Sequence, residues 1–199
     1  MERTEQETHQ PTAQPAPEEK LNGIDTQALH ATIDAIKADP SKASCKFFAA
    51  TEWQRGTTSK TNISHFELGG EDIPQDYSIT VDEPGALLGG DTAPNPQMIL
   101  YAALNTCVLN TFIVNASARG IRIDSLEFEL EGELDLRGFL GIDESVNAGY
   151  DRLTMVCRVT GNGTDDQYQE CLEAGTKYSP NFQTISRAVD IDYRLERHH

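Results

Sequence analysis

Apolar residues recur at helical spacing over residues 24–38, where Ile24, Ala28, Leu29, Ile33 and Ile36 share one face. Asp25 stands in the capping position and Pro40 closes the segment, so the pattern predicts an amphipathic, lid-like first helix. β-branched and aromatic residues with partial polar alternation then predict strands at 45–55 and 58–68, joined around Gly56, and at 77–82. Together these form an antiparallel meander.

The segment 83–120 opens with a Gly-rich turn, Leu88-Gly89-Gly90-Asp91, and presents Asn95-Pro96 as cap and first residue of a long helix that Gly120 stops. Between them Met98, Ile99, Leu100, Leu104, Val108, Phe112, Val114 and others occupy nearly every face. A helix apolar all round belongs in the centre of a protein or of a dimer. Alternation resumes in strands at 121–137 and 152–160. Thr164 followed by Gln167 is a capping-box pattern for a helix running to about Lys177, and 187–195 alternates Val189, Ile191 and Tyr193 with charged residues as a last strand. After the first helix the order β-β-β-α-β-β-α-β is an α+β plan.

Residues 1–20 are rich in Glu, Gln, Thr and Pro and read as a disordered tail, which leaves 21–199 as a single domain. In the 199-residue chain 32 acidic residues face 16 basic ones, a formal charge of -16. That balance repels polyanions and anionic lipid surfaces, so nucleic-acid and membrane partners are not expected, and the acidic excess reads first as solubility. No run reaches the about 18 uninterrupted apolar residues of a membrane span, and the N-terminus lacks the pattern of a signal peptide, so a cytoplasmic location is expected.

The four cysteines, Cys45, Cys107, Cys157 and Cys171, form no C-x-x-C pair, and the histidines show no ligand spacing. Neither a metal nor a cofactor is called for, and the cysteines read as free thiols. Cys107 lies mid-helix, where a thiol serves either as a small apolar filler or as a reactive group. Its setting favours attention to the second reading, because a capped start carrying Asn95-Pro96-Gln97 and a Gly-Gly turn precede it.

The run LLGGDTAPNPQMILYAALNTC, residues 87–107, resembles the central-helix motif of the OsmC/Ohr family, the osmotically induced and organic-hydroperoxide-resistance proteins. Residues 134–141, LDLRGFLG, are similar to the strand-end segment of an OsmC-like subgroup, and Tyr178-Ser179-Pro180 to the family's second-cysteine motif. The resemblance covers about residues 45–195. It implies an intertwined homodimer, two antiparallel meanders wrapped around long central helices, and a peroxidase that reduces organic hydroperoxides through a cysteine thiolate.

By this resemblance Cys107 matches the attacking cysteine and Arg55 the arginine that favours its thiolate, although Arg55 reads equally as a strand-end surface residue. A family carboxylate that orients the arginine falls on Gln97, where only a neutral hydrogen bond remains. Ten helical residues span about 15 Å, so Gln97 approaches a reactive thiol more readily on a partner chain. Ser179 occupies the place of the resolving cysteine, and serine cannot form that disulfide. Cys171 is a possible surrogate thiol or a packing residue. The resemblance therefore implies a single-cysteine peroxidase recycled by an external thiol reductant. The alternative is an inactive or weak dimer that binds a small apolar or thiol-reactive molecule, which the substitutions at 97 and 179 favour.

Overall fold

A computed structural model describes residues 20–197; the expected tail at 1–20, apart from Lys20, and the terminal His198 and His199 lie outside the described residues. Helix α1 (Thr26–Ala38) starts where Asp25 accepts a hydrogen bond from the Ala28 amide at 2.9 Å. No residue of α1 is fully buried, so its apolar stripe finds little cover among the described residues. Its entry is fixed from a distance by Asn22, whose side chain donates to Ser117 Oγ and the Ile121 carbonyl and accepts from the Ile123 amide.

Strands β1 (Cys45–Phe47), β2 (Ala50–Arg55), β3 (Thr58–Leu68) and β4 (Glu71–Val81) make an antiparallel sheet with β3 at its centre. The expected strand 45–55 is divided, because β1 pairs with 66–68 of β3 and β2 with 58–62. The strand expected from 77 starts at Glu71 instead. The Gly69-Gly70 turn, with φ of 59° and 87°, folds the chain straight back, and Pro74 is accommodated opposite His65 beside a bulge that local alternation does not reveal. Among the described residues no helix packs extensively on this sheet. Phe47, Trp53 and Tyr77 are left 77%, 74% and 65% exposed.

Helix α2 (Pro96–Ala118) begins as expected, with Asn95 accepting from the Met98 amide at 2.9 Å and Pro96 in the first turn. By length and composition α2 is apolar enough to cross a membrane, an outcome that counting uninterrupted apolar runs missed. Here one ridge, Leu104, Val108, Phe112 and Ala116 at four-residue spacing, forms the core with Ile121, Phe128 and Cys171. Phe112 meets Phe128 edge-on at 6.1 Å.

β5 (Ile123–Gly132) and β6 (Leu153–Gly161) pair antiparallel under α2. The expected strand 121–137 ends early because Asp135 caps a short helix α3 (Leu136–Phe139), accepting from the Arg137 amide at 2.9 Å. Helix α4 (Asp165–Tyr178) carries the full capping box of Thr164 and Gln167, and a further helix, α5 (Pro180–Ile185), follows directly. The last strand, expected at 187–195, does not form. Val189, Ile191, Tyr193 and Leu195 are exposed and the segment pairs with nothing among the described residues. Alternation permits a strand, but only a neighbouring edge supplies its hydrogen bonds. The result is the mixed helix and antiparallel sheet architecture expected, with the second sheet reduced to a hairpin.

Candidate active site

Between β4 and α2 the chain runs through a short 3-10 turn (Gly85–Leu87) and then the Gly-rich loop. Leu88 and Asp91 take positive φ, 66° and 52°. Gly89 passes so close to the Glu83 backbone that a Cβ would lie 1.7 Å from the Glu83 carbonyl oxygen, which only glycine avoids.

The loop is organised around Asp82, the buried residue at the end of β4. One carboxylate oxygen accepts from the Thr57 hydroxyl at 2.7 Å and the Glu83 amide at 2.9 Å. The other accepts from the Gly90 amide, the Thr92 amide and the Thr92 hydroxyl at 3.1, 3.2 and 2.8 Å. The Thr57 hydroxyl, then that of Thr92, with the Thr92 and Glu83 amides, hold the Asp82 carboxyl far below the usual carboxylate range, against the opposing effect of burial. In the sequence Asp82 is marked only by an Asp-Glu-Pro strand end followed by a Gly-Gly loop, and Thr57 lies 25 residues before it.

Arg55 sits at the end of β2 in the turn that Thr57 belongs to. A register shift between Trp53 and Arg55 turns the strand end, Gly56 takes a φ of 52°, and the Trp53 indole donates to the Gly56 carbonyl at 2.9 Å. Arg55 is exposed and has no ion-pair partner among the described residues. A cleft of about 260 Å³ separates its turn from Gly89 and Gly90.

Gln97, in the first turn of α2, lines a larger cavity of about 580 Å³ walled by Leu100, Leu104, Leu134 and Phe182, with Arg152 among its polar members. Near its wall the Tyr101 hydroxyl and the Asn105 side-chain oxygen Oδ1 are buried without a partner of good geometry. Burial, with Tyr150 alongside, pushes the Tyr101 hydroxyl up to about 12.

Cys107 is half-buried in the middle of α2. Its position is about 15 Å along the helix from Gln97, so one chain does not bring the two together. The Arg55 turn is tied through Asp82 to the loop that begins the same helix, and therefore belongs to the Gln97 end. Cys171 is fully buried in the core beside the ridge of α2, and burial pushes its thiol up. Burial does the same to Cys157 on β6, whereas Cys45 is exposed on β1. Ser179 is fully buried and caps α5, its hydroxyl accepting from the Phe182 amide at 3.2 Å.

The OsmC-like protein family model matches residues 89–194, and the chain belongs to that family. Among solved structures it is similar to the OsmC-like protein of Mycoplasma pneumoniae, 17% identical, with a TM-score of 0.56 over 71% of this chain and 87% of that one. It is also similar to an OsmC-like protein of Vibrio cholerae O1, 14% identical, with a TM-score of 0.52 over 70% of this chain and 92% of the other. These likenesses establish the fold. No curated protein matches the chain.

Proposed function

We propose that this protein is a thiol-dependent peroxidase of organic hydroperoxides, acting in oxidative-stress defence through Cys107. The Cys107 thiolate attacks the terminal oxygen of the hydroperoxide; the O–O bond breaks, the alkoxide takes a proton and leaves as the alcohol, and the sulfur becomes a sulfenic acid. Two equivalents of an external thiol return it to the thiol, releasing water and a disulfide of the reductant. The observation that carries this reading is the placement of Cys107, half exposed at the middle of the family's central helix, while Cys171 is sealed in the core and Ser179 stands at the second position.

In this reading the active unit is an intertwined homodimer, with Arg55 and Gln97 of one chain serving Cys107 of the other. Supporting it are the 15 Å spacing along α2, the first sheet with aromatic side chains facing solvent, and a central helix buried along one ridge only. An acidic protein with four free thiols suits the cytoplasm, where reduced thiols are maintained.

A second reading, a dimer that binds a small apolar or thiol-reactive molecule without turnover, is favoured by the cavity beside Gln97, whose size fits a small ligand. Consumption of cumene hydroperoxide and hydrogen peroxide with dithiothreitol or a dihydrolipoyl reductant separates the two. Turnover lost in Cys107→Ser and kept in Cys171→Ser supports the single-cysteine peroxidase. Absence of turnover, with Cys107 left unmodified by stoichiometric peroxide, leaves the binding reading.

A further inference from the structure

We infer that Asp82 is the positioning residue of this site: it ties the turn bearing Arg55 to the Gly-rich loop that begins α2, and so sets where the Arg55 guanidinium is presented. The inference rests on the proposed role of Arg55 toward Cys107. Beyond the last ladder pair of β3 and β4, Ser59 with Val81, one hydrogen bond among the described residues joins the Arg55 turn to the loop. That bond is Thr57 Oγ1 to Asp82 Oδ1, at 2.7 Å.

The geometry asks for a carboxylate. Five donors from three segments converge on two oxygens, and an amide in place of the carboxyl would turn its NH2 group toward donors. The fit is close on the loop side as well, since a Cβ on Gly90 would lie 3.0 Å from Asp82 Oδ2. The loop donors fix Asp82 to the start of α2, and the single Thr57 bond carries that position across to the turn. The register shift at the end of β2 and the Trp53 bond to Gly56 shape the same turn, between Thr57 and Arg55. Asp82 touches no reacting atom in this scheme and acts through Arg55.

The test measures the pH dependence of iodoacetamide alkylation at the Cys107 peptide, read by mass spectrometry so that exposed Cys45 does not interfere, in the full chain and in Arg55→Ala, Thr57→Val, Thr57→Ser and Asp82→Asn. A nearby positive charge lowers the apparent pKa of a thiol by about one unit or more, so Arg55→Ala is expected to slow alkylation at pH 7 about tenfold. Thr57→Val and Asp82→Asn should produce most of that shift. The Arg55→Ala/Thr57→Val double variant should show no further loss, and Thr57→Ser should restore the original profile. A purely structural role would lower the melting temperature in Thr57→Val and leave the profile in place. That result, with Arg55→Ala shifting the profile, overturns the inference and keeps the site. If Arg55→Ala itself leaves the profile unchanged, Arg55 does not activate Cys107 and both ideas fall. Should Asp82→Asn not fold, the two Thr57 variants, which alter one half-buried turn side chain and leave the carboxylate in place, still decide the matter.

Discussion

The hydroxyl of Ser179 accepts the amide hydrogen bond of Phe182 at 3.2 Å, so the residue standing where the family resemblance places a second cysteine is the cap of α5. A thiol is a weaker acceptor than a hydroxyl, which gives the serine a structural use at a position without solvent exposure. Ser179→Ala is expected to lower stability by about 1 kcal/mol, the usual worth of such a cap, in denaturant unfolding. An unchanged midpoint would mean that the cap contributes nothing.

Cys171 sits with Val108 and Phe112 in the core and burial disfavours its thiolate. Cys171→Ser should destabilise the protein by about 1 to 3 kcal/mol through a buried hydroxyl, while the turnover per folded molecule stays the same. In the native protein its alkylation should lag behind that of exposed Cys45 at every pH from 7 to 9. Equal rates at the two peptides would place Cys171 in reach of solvent and reopen its part in the chemistry.

Two glycines of the same turn, four positions apart in sequence, should behave in opposite ways. A Cβ on Gly89 meets the Glu83 backbone, which has no room to yield, whereas one on Gly85 meets nothing within 4 Å. Gly89→Ala is expected to lose about 3 kcal/mol or fail to fold, and Gly85→Ala to remain within about 0.5 kcal/mol of the parent. Thermal unfolding of the pair checks this.

The Tyr101 hydroxyl is buried without a good partner and is pushed up to about 12. Its proton is held more tightly in the folded chain than in the unfolded one, so its contribution is complete below the ordinary tyrosine value near 10 and is lost as the pH rises toward 12. Tyr101→Phe should therefore equal or exceed the parent in stability at pH 7, and should lose less stability between pH 10 and 12. A steeper alkaline loss in the variant would contradict the assignment.

The helix starts were legible because their signals are short-ranged. Asp25, Asn95 and Thr164 each accept from an amide three residues on, and the residues that do so are adjacent in the chain. Cys107, Gln97, Arg55 and Ser179 were singled out by resemblance, and the fold places Gln97 and the Arg55 turn toward one end of α2 with Cys107 further along. Asp82 was not legible. Its partners lie 25 residues before and up to 10 residues after it, and no periodicity marks a carboxylate that three segments approach together.

Sequence alone determined the periodic elements, the capped central helix with its cysteine, and the resemblance to a family, since each is written in neighbouring residues. Tertiary structure decided whether a periodic segment finds a partner. The alternating residues 187–195 meet no strand edge and stay unpaired, while 71–76, with a proline and little alternation, joins β4 because β3 lies beside it. It also decided that Ser179 is a cap and Asp82 a junction, because a hydrogen bond depends on where the chain brings donors and acceptors within about 3 Å, and residues far apart in sequence meet only once the core of α2, β5 and α4 has formed.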